Sequence, residues 1–221
     1  MEDCALVFDA IHGADGKDLT AGSYGFAWPS KKSLNGLKVG YSPSQRTPDD
    51  EREDLQVLKK LGCELVPVQL PREVPLRALT TIINVEAASV FDDLLREGHT
   101  EGWNTWDESF RAAQYVSAVD YVRIQRARSI LMEQFETAIA DVDLLINMND
   151  LVHTNFTGHP SVVMPASYRE EEGGARRPRP VVLTGHLNDD ERLLAFGRLY
   201  QRQLDAHRQH PDLSQWDAEE I

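Results

Sequence analysis

Cysteine is scarce in this sequence. Cys4 and Cys63 are the only two, too few for a disulfide framework. Both sit in apolar surroundings, which predicts buried thiols rather than nucleophiles. Positive charge is short as well: 23 Lys and Arg stand against 36 Asp and Glu, a formal charge of −13. Nucleic acids and anionic membranes both need a basic face, so neither is expected as a partner. No apolar run approaches the roughly 18–20 residues that would cross a bilayer. The opening MEDCALVFDAIHG carries acids where a signal peptide needs bases, so a cytoplasmic address is expected.

Chemical motifs are missing too. His153 and His159, and His207 and His210, lie close in sequence, but neither pair has Cys or carboxylate partners at a ligand spacing. HExxH and CxxC are absent, so no metal is expected. The turn GYSPSQRTPDD holds one glycine and leads to Asp49, Asp50 and Glu51, which oppose a bound phosphate. No nucleotide or other cofactor is expected. GxSxG is absent, and AGSYG (21–25) has no helix after it. Members of a Ser–His–Asp set need not be sequence neighbours, and nothing singles one out. A hydrolase built on His153 or His159 with a nearby serine stands as a weaker alternative.

What is present reads as α/β with a largely buried mixed sheet flanked by helices. Cys4, Val7, Phe8 and Ile11 form one helical face, stopped by Gly13. Residues 13–30 are turn-rich, with Asp15 and Asp18 as turn residues. LKVGY (37–41) is a strand. Thr47 is placed to cap a helix opened by Pro48, with Leu55, Leu58 and Leu61 inside and Gly62 ending it. CELVPV (63–68) is a second strand, parallel to the first through a right-handed crossover. Leu79–Asn84 leads into a helix over Val85–Arg96 stopped by Gly98. TWDE (105–108) is a capping box. A helical pattern then runs to Asp141, bent near 116–118 where Ser117 and Asp120 form a second cap. DLLINM (143–148) is a strand covered on both faces. Ser161–Pro165 and Pro180–Thr184 are short strands joined by a charged loop, SYREEEGGARRPRP. Leu187–His207 is the final helix. Residues 1–208 form one domain portion, and 209–221 are expected as a disordered tail.

Four stretches carry a family resemblance: MEDCALVFDAIHGADGKD (1–18), LKVGY (37–41), FRAAQYVSAVDYVRIQRARSILMEQFETAIADVDLLI (110–146), and TNFTGHPSVVMPAS (154–167) with PVVLTGHLNDDERLLAFGRLYQ. In this order they resemble the C-terminal portion of the amidase-signature hydrolases, which cleave amide C–N bonds and include the glutaminase subunit of tRNA-dependent amidotransferases. The resemblance implies the C-terminal part of that fold. It also implies that the Asn–x–x–Gly–x–Pro turn, here Asn155, Gly158 and Pro160, lies near the substrate pocket. Asn155, Phe156, Thr157 and His159 are therefore the substrate-binding candidates. Apart from the resemblance, Trp103 and Trp106 are candidate cleft residues, with buried packing the expected role of at least one. Many members carry glycine where this chain has Ala166.

The family's nucleophile is a serine activated through a second serine and a lysine within a Gly/Ser-rich signature such as GGSSGGS. No such string occurs here. Lys17, Lys31, Lys32, Lys38, Lys59 and Lys60 lie in loops, at a strand edge or at a helix end, so no catalytic residue is assigned. The expectation is a segment that is inactive alone: a truncated gene, a split enzyme or a fragment. Its partner would be a separate N-terminal amidase half or a second copy of itself. It would take a small amide only when completed. The alternative is a self-standing, non-catalytic binding or scaffold module that reuses the fold.

Overall fold

Val39, Leu144, Ile146 and Leu183 lie on adjacent strands and are all but inaccessible to solvent. They mark the centre of a five-stranded sheet. The computed structural model describes residues 1–30, 34–43, 47–147, 151–171, 176–204 and 206–210. The chain divides into two units, the first from 1–68, 141–151 and 159–221, the second from 69–140 and 152–158.

The first unit holds α1 (Glu2–Ile11), β1 (Lys38–Tyr41), α2 (Glu53–Lys60), β2 (Glu64–Pro67), β3 (Leu144–Asn147), β4 (Ser161–Glu170), β5 (Arg176–Gly185) and α8 (Asp190–Leu204), then a 3₁₀ turn at Ala206–Arg208. The sheet order is β2-β1-β3-β5-β4. β1 runs parallel to β2 and β3, while β5 is antiparallel to β3 and β4. The mixed sheet and the parallel β1–β2 pair thus match the sequence reading. One sheet face packs Val39, Ile146, Leu183 and Met164 against Ala5 of α1, Leu55 and Leu58 of α2, and Phe196 and Tyr200 of α8.

Gly40 points to the opposite face of β1, the side away from this core. A Cβ there would meet Val68 Cγ2 at 2.8 Å and Val142 Cγ2 at 3.1 Å. Gly40→Ala should therefore cost about 1–3 kcal/mol through overpacking. Urea denaturation measures it, and an unchanged midpoint refutes the packing argument.

Several boundaries depart from the sequence reading. The helix assigned to Thr47 and Pro48 begins at Glu53, with Arg52 at the N-cap and turns over 47–51. Arg52 and Asp54 are drawn inward instead, which fixes the start later. Gly62 does end the segment, at φ +77°. α1 buries Ala5, and Met1 rests beside Gly197 of α8. Cys4, Val7 and Ile11 face solvent, because successive helical residues turn by about 100°. Cys4 is thus exposed, contrary to expectation, and Cys63 is half-buried, its thiol pushed up by desolvation. Asp15 and Asp18 do build turns, accepting from the amides of Lys17 and Thr20.

The largest departure is the charged loop. Most of its described residues belong to β4 and β5, paired from Ser161↔Thr184 to Glu170↔Arg176 with a register shift between Pro165 and Ser167. Arg169 and Arg177 stand opposite each other, and Glu171 Oε1 lies 2.6 Å from one guanidinium and 3.2 Å from the other. One carboxylate thus offsets a like-charge pair that would otherwise splay the strands. Residues 172–175 lie outside the described residues. Of the expected tail, Gln209 is tied down: its carbonyl accepts from Tyr168 Oη and its amide oxygen from Arg176. Residues 211–221 lie outside the described residues, as do Met148, Lys31, Lys32 and 44–46 of the turn after β1.

The second unit contains α3 (Leu76–Val90), α4 (Asp92–Glu97), α5 (Trp106–Ala113), α6 (Ala118–Ile139) and α7 (Val152–Thr157). α3 starts nine residues before Val85, its expected start, and breaks at Phe91. Gly98 then ends α4 in the left-handed region. The bend before α6 is where expected, with Ser117 Oγ accepting from the Asp120 amide at 3.1 Å. The capping box at Thr105 does not form. Its backbone, at φ −95° and ψ 5°, gives no side-chain cap bond. Trp103 packs against Phe91 and Phe110, so its role is core, whereas Trp106 is half exposed. Among the described residues no helix is long and apolar enough to cross a membrane.

Candidate functional site

The segment 152–159 is where sequence patterning points, and it is not a simple turn. Val152–Thr157 is a helical turn and a half, closed by Gly158 at φ +79° with its amide donating to Thr154 O. A left-handed residue stops the helix, and glycine adopts it without strain. Consecutive positions on such a turn diverge. Asn155 faces solvent, Phe156 packs among Val74, Leu79, Ile82 and Leu131, and Thr157 is fully buried. Arg128 Nε donates to Phe156 O at 2.7 Å and fixes the turn to α6. His153, also buried, places Nε2 3.0 Å from Pro71 O, so that nitrogen carries the proton. These residues belong to the second unit. His159, 4% exposed, belongs to the first.

A cavity of about 380 Å³ opens in the first unit beside the carboxyl ends of β1 and β3. Crevices at strand carboxyl ends are where open α/β sheets accept ligands. Ser42 follows β1, Asn147 ends β3, and Ser167 and Arg179 come from the hairpin. Its floor is an ion pair that sequence patterning passed over. Arg52 donates from Nε and Nη2 to both oxygens of Asp54, at 3.2 and 2.7 Å, and from Nη1 to Ser42 O at 2.8 Å. Both side chains are over nine-tenths buried. The signal was present: an arginine inside the acidic run DDERED, three residues before Leu55, where the apolar face of α2 begins. The described lining holds hydroxyls, carboxylates and guanidinium groups but no Lys, His or Cys. It can bind and orient a small polar molecule.

Two tyrosines border this ion pair. Tyr41 donates to Asp49 Oδ2 at 2.7 Å, and that bond, with burial, raises its pKa. Tyr200 is raised further, by burial and then by the Asp54 charge. Each holds its proton more tightly in the folded chain. The stability this gives is fully present below the unfolded value of about 10 and is lost as pH rises through the raised folded values. Urea midpoints at pH 8 and pH 11 should therefore fall more in the parent chain than in Tyr200→Phe. Equal losses would sink this assignment.

Comparison with known proteins fixes the context. A family model described as Amidase matches residues 1–147. A glutamyl-tRNA(Gln) amidotransferase subunit of Halorhodospira halophila is 26% identical over 272 residues, covering 96% of this chain and 54% of its own. The corresponding protein of Neisseria gonorrhoeae is 24% identical, with 96% and 55% covered. The chain spans about half the length of these curated relatives. The 272-residue alignment to the Halorhodospira protein exceeds the whole chain of 221, so that relative carries segments with no counterpart here. The structure of 6-aminohexanoate cyclic dimer hydrolase superposes with a TM-score of 0.75 at 18% identity, covering 96% of this chain and 55% of that one. A bacterial aryl acylamidase of the amidase signature enzymes gives 0.58 at 18%, covering 80% and 47%. At such identities these structures establish the fold alone.

Proposed function

The chain belongs to the amidase family, and on that premise we propose that it is the C-terminal segment of an amidase-signature hydrolase. In this reading it contributes sheet and pocket wall to amide C–N cleavage, while another segment contributes the nucleophile. One observation carries the reading: nearly the whole chain aligns to about half of each relative, and it holds no Gly/Ser-rich signature. Amide hydrolysis of this type needs an activated serine and backbone amides aimed at the oxyanion. The polar cavity beside Arg52 and Asp54 is a wall on which a substrate amide is oriented. Separately from that cavity, Asn155, Phe156, Thr157 and His159 stand as binding candidates on family likeness alone. The partner is a separate N-terminal amidase half.

The test is complementation. The chain is mixed with the N-terminal portion of a close relative, and ammonia release from a simple carboxamide is followed. Turnover by the mixture alone supports the reading. A stable complex without turnover sinks the split-enzyme version.

A self-standing binding or scaffold module is the second reading. The continuous core of the first unit favours it, since Val39, Leu55, Leu58, Ile146 and Tyr200 are fully buried within it. A module of this kind melts cooperatively as a monomer or defined dimer. An orphaned segment binds hydrophobic dye and aggregates.

A further inference from the structure

Helix α1 carries its apolar side outward. At about 100° per residue, Leu6, Ala10, Asp3, Val7, Ile11 and Cys4 fall in that order along one arc of about 160°. All six are exposed, with Leu6, Val7 and Ile11 at 56%, 58% and 73%. All but Asp3 are apolar. Glu2, Asp9, Ala5 and Phe8 share the rest of the circumference, and Ala5 is the one that is fully buried. A surface helix ordinarily lays its apolar stripe on the core and keeps its charges in water. Single exposed apolar residues are normal on a protein surface, whereas a contiguous group of them marks a contact face.

The inner side holds α1 in this rotation. Glu2 pairs with Arg198 of α8 at 2.8 Å, and Phe8 meets Phe26 edge-on at 5.0 Å. Turning the stripe inward would break both. The chain spans about half the length of its structural relatives, so the rest of such a fold packs on apolar surface that this portion leaves bare. Other occupants fit the charge less well. An anionic bilayer meets a chain of −13 with Asp3 inside the face, and a second copy sets two such faces, each with its own Asp3, against one another.

We propose that the outward face of α1 is the docking surface for the N-terminal amidase half, which covers it with an apolar patch of its own; this rests on the function proposed above and says where the partner binds.

The two cysteines supply the test. Cys4 lies within the face, and half-buried Cys63, outside it, is the reference. The full chain is co-expressed with the N-terminal portion of a close relative, and iodoacetamide labelling of both thiols is followed by mass spectrometry, for the chain alone and for the complex. Cys4 should react readily in the chain alone and at least about tenfold more slowly in the complex, with Cys63 unchanged. Ile11→Glu, at a largely exposed position, should leave the urea midpoint close to that of the parent chain. It should weaken the complex at least about tenfold by burying an unpaired carboxylate. Ile11→Leu, of equal volume, should bind as the parent does. A complex in which Cys4 stays reactive, or one indifferent to Ile11→Glu, overturns the docking face and leaves the functional reading standing. Absence of any complex overturns both. Protection of Cys4 in the chain alone, rising with its own concentration or with added phosphatidylglycerol vesicles, assigns the face to a second copy or to a membrane and overturns the proposal.

Discussion

The purified chain, given a simple carboxamide, is expected to release no ammonia above the buffer blank. Enzymes of this kind accelerate their reactions by about 10⁶-fold or more. Most of that comes from an activated nucleophile and preorganised donors around the developing oxyanion. A lysine acting as base must be desolvated to lose its proton near neutral pH. Among the described residues Lys17, Lys38, Lys59 and Lys60 are all exposed. His153 is committed to Pro71 O, and the cavity beside Arg52 offers hydroxyls without an adjacent imidazole or amine. The measurement is ammonia release by freshly purified material, with a serine-reactive inhibitor as control for contaminants. Inhibitor-sensitive turnover that co-elutes with the chain through successive columns would overturn the expectation.

Asp54→Ala should be the most destabilising single substitution proposed for this chain, at about 3–5 kcal/mol. It leaves the Arg52 guanidinium buried with Ser42 O as its one remaining acceptor among the described residues. Against a total stability of about 5–15 kcal/mol, that unfolds much of the population under mild denaturant. The paired replacement Arg52→Met with Asp54→Leu removes both charges and should recover most of the loss, since a buried ion pair is often no better than apolar residues of similar size. Urea melts of the three proteins decide it. A double variant no more stable than the single would show that the ion pair itself, rather than the orphaned charge, holds the region.

The units that were legible in the sequence are those whose signals are local. The β1–α2–β2 crossover showed in apolar spacing and in Gly62, and the bend before α6 in Ser117 and Asp120. The β4–β5 hairpin was hidden because its outer half is stabilised across strands. Arg169, Glu171 and Arg177 form a pattern visible only once Arg169 is known to face Arg177. Pro178 reads as a loop residue and Pro180 as a strand start, yet both lie where β5 extends beyond β3, which pairs only with Val182–Gly185. There a missing amide costs the ladder little. α7 is six residues long, too short to show a 3.6-residue period, so Asn155 read as a turn residue. The Arg52–Asp54 pair escaped because charged residues at a helix start look like a solvated face. The amidase-signature fold itself, a mixed sheet flanked by helices, followed from family likeness rather than from any one motif.

The sheet has a consequence for how the protein is made. β1 pairs with β3 through Val39↔Leu144, neighbours in space that leave the ribosome about a hundred residues apart. At a synthesis rate of about 5–20 residues per second, the nascent β1–β2 ribbon, complete at Pro67, waits about 4–15 s for its third strand. Through that interval the side of β1 destined for β3 is an open template for another growing chain. Slowing translation should therefore lower the soluble yield, and a chaperone that shields strand edges should restore it.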